Sequence, residues 1–291
     1  MTDNPVRNIS DTARWVAVYR ARESERGDAL FRDPFARRLA GERGEQIAES
    51  MRDPDRNGPD WSWTMRTYLM DVFLAAGIRE GVDLVVNLAA GLDARPYRMD
   101  LPASLTWIEV DLPEILAYKE QVLAKEHPVC RLERVPLDLS RANGRRELFE
   151  QWGARAKRAL ILTEGLLIYL TADEVAGLAR DLAGPPSFQR WVLDLVSPGL
   201  LRMLQKNWGK KLADAGAPLQ FGPAEGPGFF EKAGWKPREV HSMLHAAARA
   251  KRLPFLLRLA AMLPESNGRQ TSRPWGGICL FERSEAQGAA S

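Results

Sequence analysis

A length of 291 residues, 45% of them apolar, suffices to bury the core of one α/β domain with an appended subdomain. The 41 basic and 38 acidic residues leave a net charge of only +3, which argues against nucleic acid or an anionic membrane as partner and leaves a small molecule. Two cysteines, Cys130 and Cys279, and three histidines, His127, His241 and His245, supply neither a disulfide framework nor a metal-ligand cluster, so no metal is expected. A polar start and the lack of any run of ~20 apolar residues predict a soluble, cytoplasmic protein with no membrane span.

The first eighty residues read as helices that form a cap, residues 1–80. Ser10 or Asp11 can cap a helix running to Arg26, and Asp33-Pro34 opens a short one stopped by Gly41. A third spans Trp61 to Ala76 and ends at Gly77, with Met65, Leu69, Val72 and Phe73 at helical spacing on a face that should pack inward.

From Asp83 short apolar runs alternate with amphipathic stretches, as expected of βαβ units around a parallel sheet. The expected strands are 84–88, 105–110, 131–135, 159–162 and 191–195, with a last one at 277–282. Pro113 starts one intervening helix. Another begins at the capping box Thr171-Ala172-Asp173-Glu174. The Pro- and Gly-rich stretch 215–228 is expected to be a loop or active-site insert, and Val240 to Arg252 a C-terminal helix. Residues 81–283 thus make one ligand-binding domain, and the polar end 284–291 should fray.

The chemistry begins at Val85-Val86-Asn87-Leu88-Ala89-Ala90-Gly91-Leu92-Asp93, where an apolar strand runs into small residues. Small side chains there let the backbone approach a ligand at the carboxyl end of the first strand, although a tight turn with no ligand has the same signature. Asp111, 22 residues after Ala89 in Glu109-Val110-Asp111-Leu112-Pro113, is placed to accept hydrogen bonds from both ribose hydroxyls or to cap the next helix; Glu109 could share either role. A pyrophosphate-binding G-x-G-x-x-G is missing. The turn carries one glycine and then Asp93, which suits a cationic sulfonium, S-adenosylmethionine, better than NAD. Asp138 and Glu164 follow later strands, so that acids recur at successive strand ends.

Asn-Leu-x-x-Gly-Leu-Asp-x-Arg at 87–95, Glu-Val-Asp-Leu-Pro at 109–113, Glu-Gly-Leu-Leu-Ile-Tyr-Leu at 164–170 and Arg66-Thr67, with the opening helices 11–24 and 33–36, resemble the leucine carboxyl methyltransferase family and its bacterial branch linked to polyketide biosynthesis. The resemblance covers most of residues 10–200. It implies a Rossmann-like methyltransferase with a doubly wound, mostly parallel seven-stranded sheet behind an N-terminal helical cap. It further implies that Arg66 meets the methionine carboxylate of S-adenosylmethionine and that Ala89, Ala90 and Gly91 line its backbone. Asp111, beside Leu112, would hold the ribose, Asp138 and Leu139 would flank the adenine, and Glu164 would face the methionine part.

One departure is Ala89, which replaces the first glycine of the family's Gly-x-Gly; its methyl group disfavours φ > 0, so the turn is expected to use a conformation open to L-residues. The function expected is O-methyl transfer to a small-molecule carboxylate or hydroxyl. A carboxylate needs no base, whereas a hydroxyl would draw on His241, His245 or Tyr169, the last also suited to positioning substrate. The rival readings are a nicotinamide-dependent oxidoreductase and a cofactor-binding module without transfer activity.

Overall fold

The computed structural model describes residues 6–51, 60–139, 144–266, 268–269 and 272–284; the tail expected to fray lies, beyond Ser284, outside them. Three helices lead the chain: α1 (Ser10–Ser24), α2 (Ala36–Ser50) and α3 (Asp60–Arg79). Then follow β1 (Leu84–Leu88), the single turn α4 (Arg95–Arg98), β2 (Thr106–Asp111), α5 (Pro113–Val122), β3 (Arg131–Pro136), α6 (Arg145–Ala154), β4 (Ala159–Thr163) and α7 (Ala172–Leu182). The last third comprises β5 (Phe188–Val196), α8 (Pro198–Asp214), β6 (Trp235–Ser242), α9 (Met243–Arg249), α10 (Phe255–Ala260) and β7 (Gly276–Arg283), with 3-10 turns at Leu167–Tyr169 and Gly226–Ala233.

The seven strands form one sheet in the order β3-β2-β1-β4-β5-β7-β6, parallel except for β7, which runs antiparallel to both its neighbours. β1 and β4 are buried along their whole length, as continuous apolar strands covered on both faces should be. Strand order reverses between them, which is where open α/β sheets form their ligand crevice.

Several sequence expectations are corrected. Gly41 ends the first short helical segment as expected, with φ 62°, ψ −178°, and a second segment follows directly after this kink to complete α2. Gly77 does not end α3, and lies inside it because a Cβ there would come within 2.9 Å of Leu160 Cδ1, so the glycine lets the helix settle onto the sheet. Of the inward face expected for α3, Met65, Leu69 and Phe73 are buried, but Val72 is exposed. α3 packs with Val85, Trp107 and Leu160 against one face of the sheet, while α1 and α2 pack on each other and, through Trp15, on Trp208 of α8.

The helix expected over 240–252 is in its first three residues the end of strand β6, and α9 starts only at Met243. Neither Ser10 nor Asp11 caps α1; Asp11 instead accepts from the Arg43 guanidinium and from the Arg7 amide. The capping box at Thr171 and Glu174 forms as read, and residues 215–225 are loop.

Candidate active site

Strand register builds the site. Leu88 pairs with Val110 on one side and Thr163 on the other, and Thr163 pairs with Leu193. The next residue on each strand therefore arrives at the same edge: Ala89, Asp111, Glu164 and Asp194 form a row along the carboxyl ends of β1, β2, β4 and β5. All four line one cavity of ≈ 1410 Å³, together with Arg66, Ala90, Gly91, Leu112, Asp138, Leu139 and Tyr169. The residues the family resemblance assigns to the cofactor, and Tyr169, thus share one cavity, whereas Glu109 and His241 do not line it.

The turn after β1 is held by Asp111. Its Oδ2 accepts from the Gly91 amide at 2.6 Å and its Oδ1 from the Leu112 amide at 2.7 Å. Glu109 goes elsewhere: it is fully buried between Lys119 Nζ at 2.7 Å and Arg134 Nε at 2.9 Å, a structural ion pair beneath the sheet edge. Ala89 contradicts its expectation, because it adopts φ 57°, in the left-handed region. That conformation costs an L-residue roughly 1–2 kcal/mol, and the Ala90 amide bonded to the Val110 carbonyl at 3.1 Å helps to fix it. Ala89→Gly should therefore raise stability by about 0.5–1 kcal/mol after the extra entropy of glycine is subtracted, or roughly 1–3 °C in Tm. An unchanged or lower melting temperature would show that the turn is not strained.

The rest is an ion-pair lattice that sequence reading largely missed. Arg95 is buried and reaches Asp71 at 2.6 Å, Asp93 at 2.7 Å and Glu164 at 2.9 Å. Arg66 reaches Glu164 at 3.2 Å and Asp194 at 3.4 Å, and lies over the Trp63 ring. Arg98 extends the lattice to Asp71 at 2.7 Å, and Arg20 pairs with Asp33 at 2.9 Å while donating to the Leu92 carbonyl at 2.6 Å. Asp194 was hidden inside a strand and Asp71 inside a helix; Arg95 stood in the quoted motif without a role.

Burial and charge set the protonation states. Burial pushes Asp93 and Glu164 up, but Arg95 outweighs it, with Lys119 and Arg98 helping at Asp93 and Arg66 at Glu164, so both stay below the usual carboxylate range. At Asp194 burial prevails over Arg66 and the Gly165 amide, and its pKa rises. Burial also raises Tyr169, only partly offset by its hydrogen bond with Thr12, so the phenol stays neutral.

The histidines divide. His241 lies on β6, bonded to Glu239 at 3.1 Å and edge-on to Phe73, and is not part of the cavity wall. His245 lines the cavity, but both ring nitrogens are engaged, by Ser242 Oγ at 3.1 Å and the Leu263 carbonyl at 2.9 Å. Arg273 is the opposite case: it lines the cavity, and among the described residues its guanidinium has no side-chain partner. Among the described residues no group of three or more His, Cys, Asp or Glu side chains is placed to hold a metal, and no helix is long and apolar enough to cross a membrane.

A model of the leucine carboxyl methyltransferase family matches residues 13–183. A candidate S-adenosyl-L-methionine-dependent methyltransferase of Frankia alni is 32% identical over 262 residues, 82% of this chain and 85% of that one. Another, of Mycobacteroides abscessus, is 35% identical over 196 residues, and there the match spans 60% of this chain and 61% of the relative, less than two thirds of its length. A solved structure described as a candidate methyltransferase from Thermobifida fusca superposes with a TM-score of 0.59 at 16% identity, covering 97% of each chain, which is a likeness of fold.

With its seven-stranded sheet and reversed β7, and with relatives of 32–35% identity named as S-adenosylmethionine-dependent methyltransferases, the chain falls in that class of enzyme. The chain belongs to the leucine carboxyl methyltransferase family. The nicotinamide-dependent alternative gains no support from these relatives.

Proposed function

We propose that the cavity binds S-adenosylmethionine across the carboxyl ends of β1, β2, β4 and β5 and delivers its methyl group to a carboxylate oxygen of a small-molecule acceptor. The observation that carries the cofactor assignment is the row formed by Ala89, Asp111, Glu164 and Asp194 in one cavity with Arg66. The donor set fits the ligand chemically. Arg66 and Glu164 offer opposite charges to the carboxylate and ammonium of an amino acid, and Asp111 offers acceptor oxygens to a ribose. The lattice has five carboxylates, Asp33, Asp71, Asp93, Glu164 and Asp194, against the four arginines 20, 66, 95 and 98, an excess of negative charge suited to a net cation. Asp138 and Leu139 would flank the adenine, and Ala89 to Gly91 with Leu112 would lie along the ligand backbone.

When bound, S-adenosylmethionine supplies an electrophilic methyl group on a sulfonium. The chain's part is to align and to exclude water: α1 covers the strand ends through Thr12, Ala13 and Val16, and the neutral Tyr169 positions substrate beneath it. A carboxylate acceptor is ionised at neutral pH and asks for no proton transfer, in keeping with a His245 whose two nitrogens are already bonded. Arg273 is the cavity cation left to read the acceptor's charge. A hydroxyl acceptor is a second reading, favoured by Asp194, which lines the cavity and whose pKa burial raises, fitting it to take a hydroxyl proton. The cytoplasm is the proposed setting, supported by two buried, unpaired thiols.

Initial rates with carboxylic acids and their matching alcohols or phenols, from pH 6 to 9, test the acceptor class. Carboxylic acids should be methylated at rates nearly flat in pH, and Arg273→Met should raise their KM about tenfold. Methylation confined to hydroxyl compounds, with rates climbing as pH rises, would replace the first reading by the second.

A further inference from the structure

The cavity is larger than one ligand requires. Roughly 300–1,000 Å³ is usual for a site that holds one drug-sized molecule, against ≈ 1410 Å³ here. The space away from the strand ends is walled by apolar side chains of α8, such as Met203, Leu204 and Trp208, and by the segment around α10.

That segment is apolar on its outside as well. Phe255 is 74% exposed, Leu257 36%, Leu259 61%, Met262 80% and Leu263 58%. Five large apolar residues within nine positions make an uncommon surface, of the kind that marks a binding site. Phe255, Leu257 and Leu263 also line the cavity, so the patch is continuous with the site and forms its mouth. Pro254 and Pro264 bracket this lip, and the Leu263 carbonyl is tied to His245 Nε2 at 2.9 Å.

We propose that the acceptor is an amphiphile whose apolar tail, of about ten or more carbons, runs along the α8 wall and leaves beneath the lip of Phe255, Leu257 and Leu263. The identity of its methylated head rests on the reading above; the tail site does not. Continuity decides against a membrane or a second copy as the occupant: a surface built for either would have no need of an apolar channel leading from it to the strand ends.

Calorimetric titration of straight-chain carboxylic acids of four to fourteen carbons, with and without S-adenosylhomocysteine, tests this. Affinity should tighten about two- to fourfold for each added CH₂ as far as ten or more carbons. Phe255→Asp and Leu263→Asp, both at exposed positions, should flatten the series for the longer acids and leave S-adenosylhomocysteine affinity unchanged. Affinity independent of chain length would overturn the proposal. So would variants that keep the length dependence and instead lose binding to anionic phospholipid vesicles or lose self-association. Failure of the unaltered protein to bind S-adenosylhomocysteine, with the length dependence present and flattened by the two variants, would remove the cofactor reading and support the tail site.

Discussion

Arg95→Met is expected to destabilise the fold by about 3–5 kcal/mol, the range for breaking a buried ion pair from one side. The guanidinium is buried and serves Asp71, Asp93 and Glu164 at once, and it donates to the Thr67 carbonyl at 3.4 Å. Methionine fills similar space, so most of the loss is electrostatic. Asp71 keeps Arg98, Glu164 keeps Arg66, and Asp93 keeps the Asn87 amide at 2.8 Å, which holds the loss within that range.

The pH dependence separates charge from packing. With Arg95 present, Asp93 and Glu164 have lowered folded pKa values, so their contribution is complete above the unfolded carboxylate range and is lost as pH falls through the folded values. Without Arg95 the largest influence lowering both carboxylates is gone while burial remains, so their folded values are expected to rise. That cost is felt at neutral pH and relieved by proton uptake as pH falls. The deficit of the variant should therefore shrink between pH 8 and pH 5 in denaturant titrations, whereas a deficit constant with pH would assign the loss to packing.

Asp111→Ala should weaken S-adenosylhomocysteine at least tenfold, since ribose bonds to a carboxylate contribute roughly 1.5–3 kcal/mol each. Leu112 occupies the N-cap of α5 with no side-chain cap, so Asp111 is not a conventional helix cap; it pins the β1 turn through the Gly91 amide and also accepts from Leu112. A modest loss of stability, about 1–2 kcal/mol, should accompany the loss of affinity. Burial raises the Asp111 pKa against the pull of those two amides, so acid should begin to weaken binding above the ordinary aspartate value of 3.8, and the alanine variant should lack that limb. Calorimetry on the folded variant decides: wild-type affinity with a lowered melting temperature would remove Asp111 from the ligand and leave it the turn alone.

What could be read from the sequence follows from how burial writes itself into a chain. β1 and β4, apolar from end to end and followed by small or acidic residues, announced both the sheet and its ligand edge. β6 did not, because an edge strand with Lys236, Pro237, Arg238 and Glu239 carries no apolar run, and its last residues share the periodicity of the helix that follows. Glycine misled once. At Gly77 it answers the approach of a neighbouring strand, and a pairwise distance across the fold leaves no local trace. Ala89 misled in the opposite sense, since the surrounding hydrogen bonds hold an alanine where glycine would cost less. Asp71, Arg95 and Asp194 were illegible as a group for one reason: they come from a helix, a turn and a strand far apart in the chain, and only the packed structure joins them.

The position of β7 has a consequence for biogenesis. It is synthesised after both β5 and β6, yet it sits between them. Until residues 276–283 have left the ribosome, β5 presents an open edge of apolar residues and β6 has no strand to pair with. At about 5–20 residues per second the delay after β5 lasts on the order of ten seconds, long beside the microseconds in which helices form. During that interval the nascent chain is an unfinished sheet in need of shielding, and β7 acts as the keystone whose arrival seals it.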